Sequence, residues 1–157
     1  MNESRAASQP ADLLVIGYGN TLRRDDGVGV KVAEAVETLN LPGVHTLVCH
    51  QLTPELAETI SQSRAVIFVD AAVDASGKVQ LRPLEPAGTS QLMAHAADPR
   101  TMLALARDIF GRAPRAWWLT IPVEELGFGD ELSPRAAEGF KVALERIQEC
   151  SRRLSSC

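Results

Sequence analysis

The sequence is poor in cysteine, and it contains no apolar run longer than a β-strand. Its three cysteines, Cys49, Cys150 and Cys157, are odd in number and have no Cys-x-x-Cys spacing. This pattern argues against a disulfide scaffold and against a zinc site built from paired cysteines. The apolar runs are also far shorter than the ~20 residues that cross a bilayer, so we expect no membrane-spanning segment.

An excess of charge of one sign is also missing. The formal net charge of the 157 residues is −4, and neither sign forms a long run, which argues against nucleic acid and acidic membranes as partners. The hydrophobic content of 45% is ordinary for a globular protein. We predict one domain over residues 12–150, with tails at 1–11 and 151–157. The polar N-terminus lacks a hydrophobic signal core, which predicts a cytoplasmic protein.

Several catalytic and nucleotide-binding motifs are absent. The chain has neither a Gly-x-Ser-x-Gly elbow nor a His-Glu-x-x-His helix, so nucleophilic and thermolysin-like hydrolysis are poorly supported. Leu22 stands where a dinucleotide fingerprint needs its third glycine. Asp25-Asp26-Gly27 replaces the Gly-Lys-Ser/Thr of a P-loop, and its two carboxylates would repel a phosphate.

What is present is a strand, a glycine turn and a helix in succession. An apolar run opens at Leu13, a glycine-spaced turn follows at residues 17–19, and Val28, Val32 and Val36 then lie four apart on one helical face. This is the first half of a βαβ unit, and ligands of such folds bind in that turn.

The rest of the chain continues to alternate strands with helices. Further strands are predicted at 44–49, 64–70, 78–82 (a short edge strand) and 117–121, and further helices at 53–63, 98–110 and from 133 onward, with a loop at 83–93. This alternation predicts an α/β fold of three layers, a mostly parallel sheet covered by helices on both faces.

Three polar residues follow predicted strands at the edge where such sheets bind ligands. Asp26 follows the first strand, Asp70 ends the third, and His95 lies before the 98–110 helix. Two carboxylates and an imidazole suit a borderline divalent ion and leave coordination positions open. Each residue also has a simpler interpretation: Asp26 and Asp70 as caps of a helix or turn, and His95 as a solvated loop residue. For Asp25, helix capping is the favoured interpretation.

Several segments together resemble one known family. They are residues 16–29 (IGYGNTLRRDDGVG), 66–70 (VIFVD), 95–99 (HAADP), 111–114 (GRAP), 119–124 (LTIPVE) and 132–134 (LSP). This pattern, which covers nearly the whole chain beyond the polar tail, is similar to that of the nickel–iron hydrogenase maturation endopeptidases.

The resemblance implies a mixed, largely parallel five-stranded sheet of the phosphorylase/hydrolase-like type. It also implies removal of a C-terminal extension from a hydrogenase large-subunit precursor after nickel has been inserted. The nickel would be carried by the substrate, and no cofactor would be permanently bound. The family's metal-contacting positions fall on Asp26, Asp70 and His95. These three are also the catalytic candidates, and no residue is assigned as the base.

The resemblance also places residues that would contact the substrate. Around the first turn these are Gly19, Asn20 and Asp25, although Asn20 is better explained as fixing the turn. Many family members carry an Asp-Gly-Gly-Thr-like motif after the second strand, where this chain has His50-Gln51-Leu52 followed by Thr-Pro-Glu-Leu. That segment resembles the endopeptidases that serve soluble, NAD-reducing (bidirectional) hydrogenases.

Two other classes of function remain open on the sequence. A metal-dependent hydrolase with its own ion would contain metal when purified and would cleave small peptides. A non-catalytic maturation chaperone would bind its partner in a nickel-dependent way without cleaving it. A nucleotide-binding domain is disfavoured by Leu22 and the paired aspartates.

Overall fold

The computed structural model describes residues 11–73, 76–88 and 98–155, and it contains five strands and four α-helices in those ranges. In chain order the elements are β1 (Leu13–Tyr18), a 3-10 turn (Arg24–Gly27), α1 (Val28–Thr38), β2 (Val44–Cys49), α2 (Leu56–Ser61), β3 (Ala65–Ala72), β4 (Gln80–Leu84), α3 (Pro99–Phe110), β5 (Arg115–Pro122) and α4 (Pro134–Ser155). Within these ranges no helix is long and apolar enough to cross a membrane.

The five strands form one mixed sheet in the order β2-β1-β3-β5-β4. β2, β1, β3 and β5 run parallel to one another, and β4 pairs antiparallel with β5 at the edge. The central strands β1 and β3 are almost continuously apolar because helices cover both of their faces. The three-layer α/β fold expected from the sequence is therefore confirmed.

Two apolar cores lie on opposite faces of the sheet. One contains the valines of α1 and the inward face of α4, packed on Leu13, Val15 and Val69. The other contains α2 and α3, packed on Leu14, Ile16 and Phe68. Alternate residues of β1 and β3 thus enter different cores. By this alternation, Tyr18 and Asp70 lie on the face of the sheet that α2 and α3 cover.

Helix α1 lies so close to β1 that backbone touches backbone. A Cβ on Gly17 would overlap the carbonyl group of Gly29 and lie 2.9 Å from the Cβ of Ala33. A Cβ on Gly29 would in turn overlap the carbonyl of Val69. These two glycines therefore set the distance between α1 and the sheet.

Several element boundaries differ from the predictions, among them those of β3 (Ala65–Ala72, predicted at 64–70) and β5 (Arg115–Pro122, predicted at 117–121). β4 covers 80–84 and includes Pro83, which an edge strand tolerates because its nitrogen need not donate to the ladder. α2 starts at Leu56, because residues 53–56 form a turn first and Thr53 makes no side-chain cap. α4 continues to Ser155, beyond the predicted domain end at 150, and Leu154 packs on the α1–α4 core.

Gly17→Ala should lower the free energy of unfolding by about 3 kcal/mol, because the added methyl group must displace α1 from the sheet. Gly127→Ala is the matched control, since a Cβ there meets no atom within 4 Å. Urea unfolding followed by circular dichroism measures both variants. Equal losses in the two would contradict the close-approach argument.

Candidate active site at the carboxyl edge of the sheet

The turn after β1 is held by two hydrogen bonds that fix Asn20 and Asp26. The Asn20 side-chain oxygen accepts from the Leu22 backbone N–H at 2.9 Å, and the Asn20 backbone N–H donates to Asp26 Oδ2 at 2.9 Å. Gly19 has φ +145°, and a Cβ there would overlap the Asp26 carbonyl oxygen. Gly19 and Asn20 therefore build the turn that orients Asp26, as the sequence favours for Asn20.

Asp70 ends the buried part of β3, beside Tyr18 of the neighbouring strand. The Tyr18 hydroxyl donates to Asp70 Oδ2 at 3.1 Å. Burial raises the pKa of Asp70 to about 6; the Tyr18 and Ala71 hydrogen bonds partly oppose this rise, and the negative charge of Asp26 adds to it. Burial, followed by the charge of Asp70, raises the pKa of Tyr18 as well, so Tyr18 remains a neutral donor.

Asp26 is thus close enough to Asp70 for its charge to contribute to the raised pKa of Asp70. In the described part of the chain neither carboxylate forms an ion pair with a lysine or arginine. Two neighbouring carboxylates without a cation repel each other, and a metal ion would relieve that repulsion. The sequence prediction that Asp26 and Asp70 come together is consistent with this geometry.

Other polar side chains lie on the neighbouring strands at the same level as Asp70. In the strand register Tyr18 pairs with Cys49, and Asp70 pairs with Thr120, which pairs with Gln80. Burial raises the pKa of the Cys49 thiol. Thr120 is 3% exposed, and its hydroxyl has no hydrogen-bond partner among the described residues. Sequence reasoning missed Tyr18 and Thr120, although strand alternation and the level of Asp70 could have found both.

Asp25 points inward, in contrast to its neighbour Asp26. It is 0% exposed, and its carboxylate accepts from the backbone N–H groups of Glu124, Glu125 and Ser133 and from the Ser133 hydroxyl, at 2.6–3.0 Å. The Ser133 hydroxyl in turn accepts from the Ala136 N–H and caps α4. Burial alone would raise the pKa of Asp25, but these hydrogen bonds together lower it.

Two of the predicted roles for Asp25 are therefore wrong. It makes no side-chain cap at the 3-10 turn or at α1, whose N-cap is Gly27. A fully buried carboxylate with four donors also has no surface to offer a substrate. Its function is structural: it joins the turn after β1 to the loop before α4.

The segment after β2 divides into exposed and buried residues. His50 and Gln51 are exposed at the end of β2, where a partner could contact them. Leu52 is only 3% exposed and packs in the α2–α3 core, so the prediction that it contacts substrate is wrong. The α2–α3 core explains why an apolar residue occupies position 52.

His95 lies outside the described residues. Asp98, where the description resumes, is the N-cap of α3, and its side chain accepts from the Arg100 N–H at 2.8 Å. The charge of Asp98 contributes to the raised pKa of Tyr18, so α3 begins on the side of the sheet that carries Asp70. Within the described ranges no three histidine, cysteine or acidic side chains form a metal-binding group.

Known structures share this fold. A hydrogenase maturating endopeptidase, HybD from E. coli, matches with a TM-score of 0.71 at 23% identity, covering 90% of this chain and 92% of that one. A [NiFe] hydrogenase maturation protease, HycI from Thermococcus kodakarensis, matches with a TM-score of 0.69 at 23% identity, covering 92% of this chain and 95% of that one. The [NiFe] hydrogenase maturation protease HybD from the same organism matches with a TM-score of 0.66 at 21% identity, covering 88% of this chain and 98% of that one.

These likenesses, all below 25% identity, establish the fold and its arrangement over nearly the whole chain. No protein-family model and no curated protein matches the sequence. The five-stranded mixed sheet expected from the family resemblance is confirmed.

Asp25→Asn should lower the free energy of unfolding at pH 7 by roughly 2–4 kcal/mol. The amide oxygen of asparagine is a weaker acceptor than a carboxylate oxygen, and the NH₂ group would face N–H and O–H donors that it cannot accept from. A lowered pKa in the folded state stabilises the fold above the ordinary aspartate pKa, and this stabilisation is lost as the pH falls. The difference from wild type should therefore narrow toward pH 3 in urea titrations. Asp12→Asn, which breaks an exposed ion pair with Arg64, should change little.

Asp70→Asn should stabilise the free protein. The raised pKa means that folding favours the protonated carboxyl group, so wild type loses stability as the pH rises through about 6. Asparagine cannot ionise and can still accept from Tyr18; we expect a gain of roughly 1–3 kcal/mol at pH 8 and none at pH 4. Thermal unfolding at both pH values measures this gain. A variant no more stable than wild type at pH 8 would contradict the buried-carboxylate argument.

Proposed function

We propose that this protein is a hydrogenase maturation endopeptidase that removes the C-terminal extension of a nickel–iron hydrogenase large-subunit precursor. The observation that carries the proposal is the pair Asp26 and Asp70, two neighbouring carboxylates with no cationic side chain against them in the described ranges. Such a pair suits a divalent ion presented by a partner. Support also comes from the motif resemblance and from structural neighbours described as hydrogenase maturation proteases.

In this proposal the nickel is part of the substrate. Asp26, Asp70 and His95 contact the nickel of a loaded precursor, so the metal reports that insertion is complete. The Tyr18 hydroxyl donates to one Asp70 oxygen and so orients the carboxylate that would contact the ion. A bound metal ion can also polarise the scissile carbonyl or activate water.

We further propose that the precursor belongs to a soluble, NAD-reducing hydrogenase and that processing occurs in the cytoplasm. The support for the hydrogenase type is the segment after β2, where His50 and Gln51 replace the commoner Asp-Gly-Gly-Thr-like motif and are exposed. Because Leu52 is buried, discrimination between partners would come from His50 and Gln51.

The experiment is a processing assay with metal-free protein and precursor prepared with and without nickel, read by product mass. We expect a C-terminal peptide to be released only from the nickel-loaded form. Asp26→Asn and Asp70→Asn should reduce the rate by at least about 100-fold, because each removes a charged contact to the ion. Asp108→Asn, an exposed aspartate paired with Arg107 on α3, is the matched control.

The outcomes separate the classes of function. Cleavage of both precursor forms would indicate a hydrolase with its own ion, and nickel-dependent binding without cleavage would indicate a chaperone. Faster processing of a precursor from an NAD-reducing hydrogenase than of one from another type would support the proposed partner. Equal rates, or the reverse order, would contradict it.

A further inference from the structure

Three large apolar side chains are exposed at the carboxyl edge of the sheet. Leu22, in the turn after β1, is 59% exposed; Val73, after β3, is 82% exposed; and Phe128, in the loop after β5, is 88% exposed. We call these three residues the apolar rim. Soluble surfaces rarely gather large apolar groups without a binding role.

Leu22 and Phe128 are brought together by the backbone. The N–H of Gly129 donates to the Leu22 carbonyl at 2.8 Å, and the N–H of Arg24 donates to the Gly129 carbonyl at 2.8 Å. Residues 22–24 and 129 thus form a short parallel bridge. Residues distant in sequence are in this way placed in one surface patch.

The loop that carries Phe128 is firmly anchored. The Asp25 carboxylate binds both ends of the loop, at Glu124, Glu125 and Ser133, and Lys31 donates to the Asp130 carbonyl. The exposure of Phe128 is therefore imposed by hydrogen bonds on either side of it. At 88% exposure, the Phe128 ring does not pack against the protein's own core.

The apolar rim borders the candidate site. Leu22 lies in the turn that ends at Asp26, and Val73 follows Asp70 by three residues on the same strand end. Exposed charged residues, Arg23 and Asp130, flank Leu22 and Phe128. An apolar centre with a charged border is the composition of a protein–protein interface, in which aromatic residues are enriched.

We propose that the apolar rim is the docking surface for the folded body of the protein substrate, as distinct from the tail that is cleaved. This inference rests on the proposed function, because it takes the occupant to be the precursor that reaches Asp26 and Asp70. A folded protein that presents a metal to these two carboxylates must cover the turn and loop beside them. The matching surface on the substrate is an apolar patch next to its metal site.

The experiment measures precursor binding and cleavage for Phe128→Ser and for the double variant Leu22→Ser/Phe128→Ser. Loss of an anchoring aromatic side chain should raise KM and the dissociation constant about tenfold or more, with kcat changed less than about twofold. Phe110→Ser is the matched control: Phe110 is 44% exposed at the end of α3, five residues before β5 begins at Arg115, and so at the opposite edge of the sheet. Urea midpoints equal to wild type confirm that the variants are folded.

The outcomes test the docking surface and the endopeptidase function separately. Cleavage by all variants with the wild-type KM, or an equal effect of Phe110→Ser, would overturn the docking surface and leave the endopeptidase standing. Binding without cleavage by wild type would overturn the endopeptidase, and the dissociation constants of the same variants would still test the docking surface. Absence of both binding and cleavage in wild type would overturn both.

Discussion

The candidate site depends on the burial of one charge, the Asp25 carboxylate. Removing a carboxylate from water is costly unless donors replace its hydration, and here three backbone N–H groups and the Ser133 hydroxyl do so. Those donors come from the loop after β5 and from the residue that caps α4. One side chain of the first turn therefore fixes the path of the last loop and the start of the last helix. Its neighbour Asp26 is left to face outward, where the Asn20 N–H holds one oxygen.

The pKa of Asp70 is shifted in the opposite direction to that of Asp25. The Asp25 carboxylate accepts four hydrogen bonds, whereas Asp70 is half-buried and accepts from the Tyr18 hydroxyl and the Ala71 backbone; burial outweighs these bonds and raises its pKa to about 6. A group arranged for stability alone would not be left in that state, since burying a carboxylate with too few donors reduces the stability of the fold. Asp25 thus supports the structure, whereas Asp26 and Asp70 form no ion pair with a lysine or arginine in the described part of the chain.

Local signals predict much of this architecture, and long-range contacts account for what they miss. The bounds of β2, and the start of α3 at Asp98-Pro99, follow from short patterns and agree with the structure. The role of Asp25 could not be predicted, because its donors lie 99–108 residues away and an acidic residue before a helix resembles a cap. The burial of Leu52 could not be predicted from the local sequence, because it depends on packing with α2 and α3. Strand alternation places Tyr18 on the same face as Asp70, and the pairing of β1 with β3 then shows that the two side chains meet.

In the proposed function, the same hydrogen bonds would give the carboxyl edge of the sheet two means of recognising its substrate. The hydrogen bonds that bury Asp25 anchor the loop that carries Phe128, and the turn that holds Leu22 beside Gly129 also orients Asp26. A charged pair selects for a cation, but carboxylates alone do not distinguish a metal in a protein from a metal in solution. An apolar surface beside them distinguishes these cases, because only a folded partner can cover it. On the proposed function, neither feature would need to bind tightly by itself, since two weak contacts held at a fixed distance act together on one substrate.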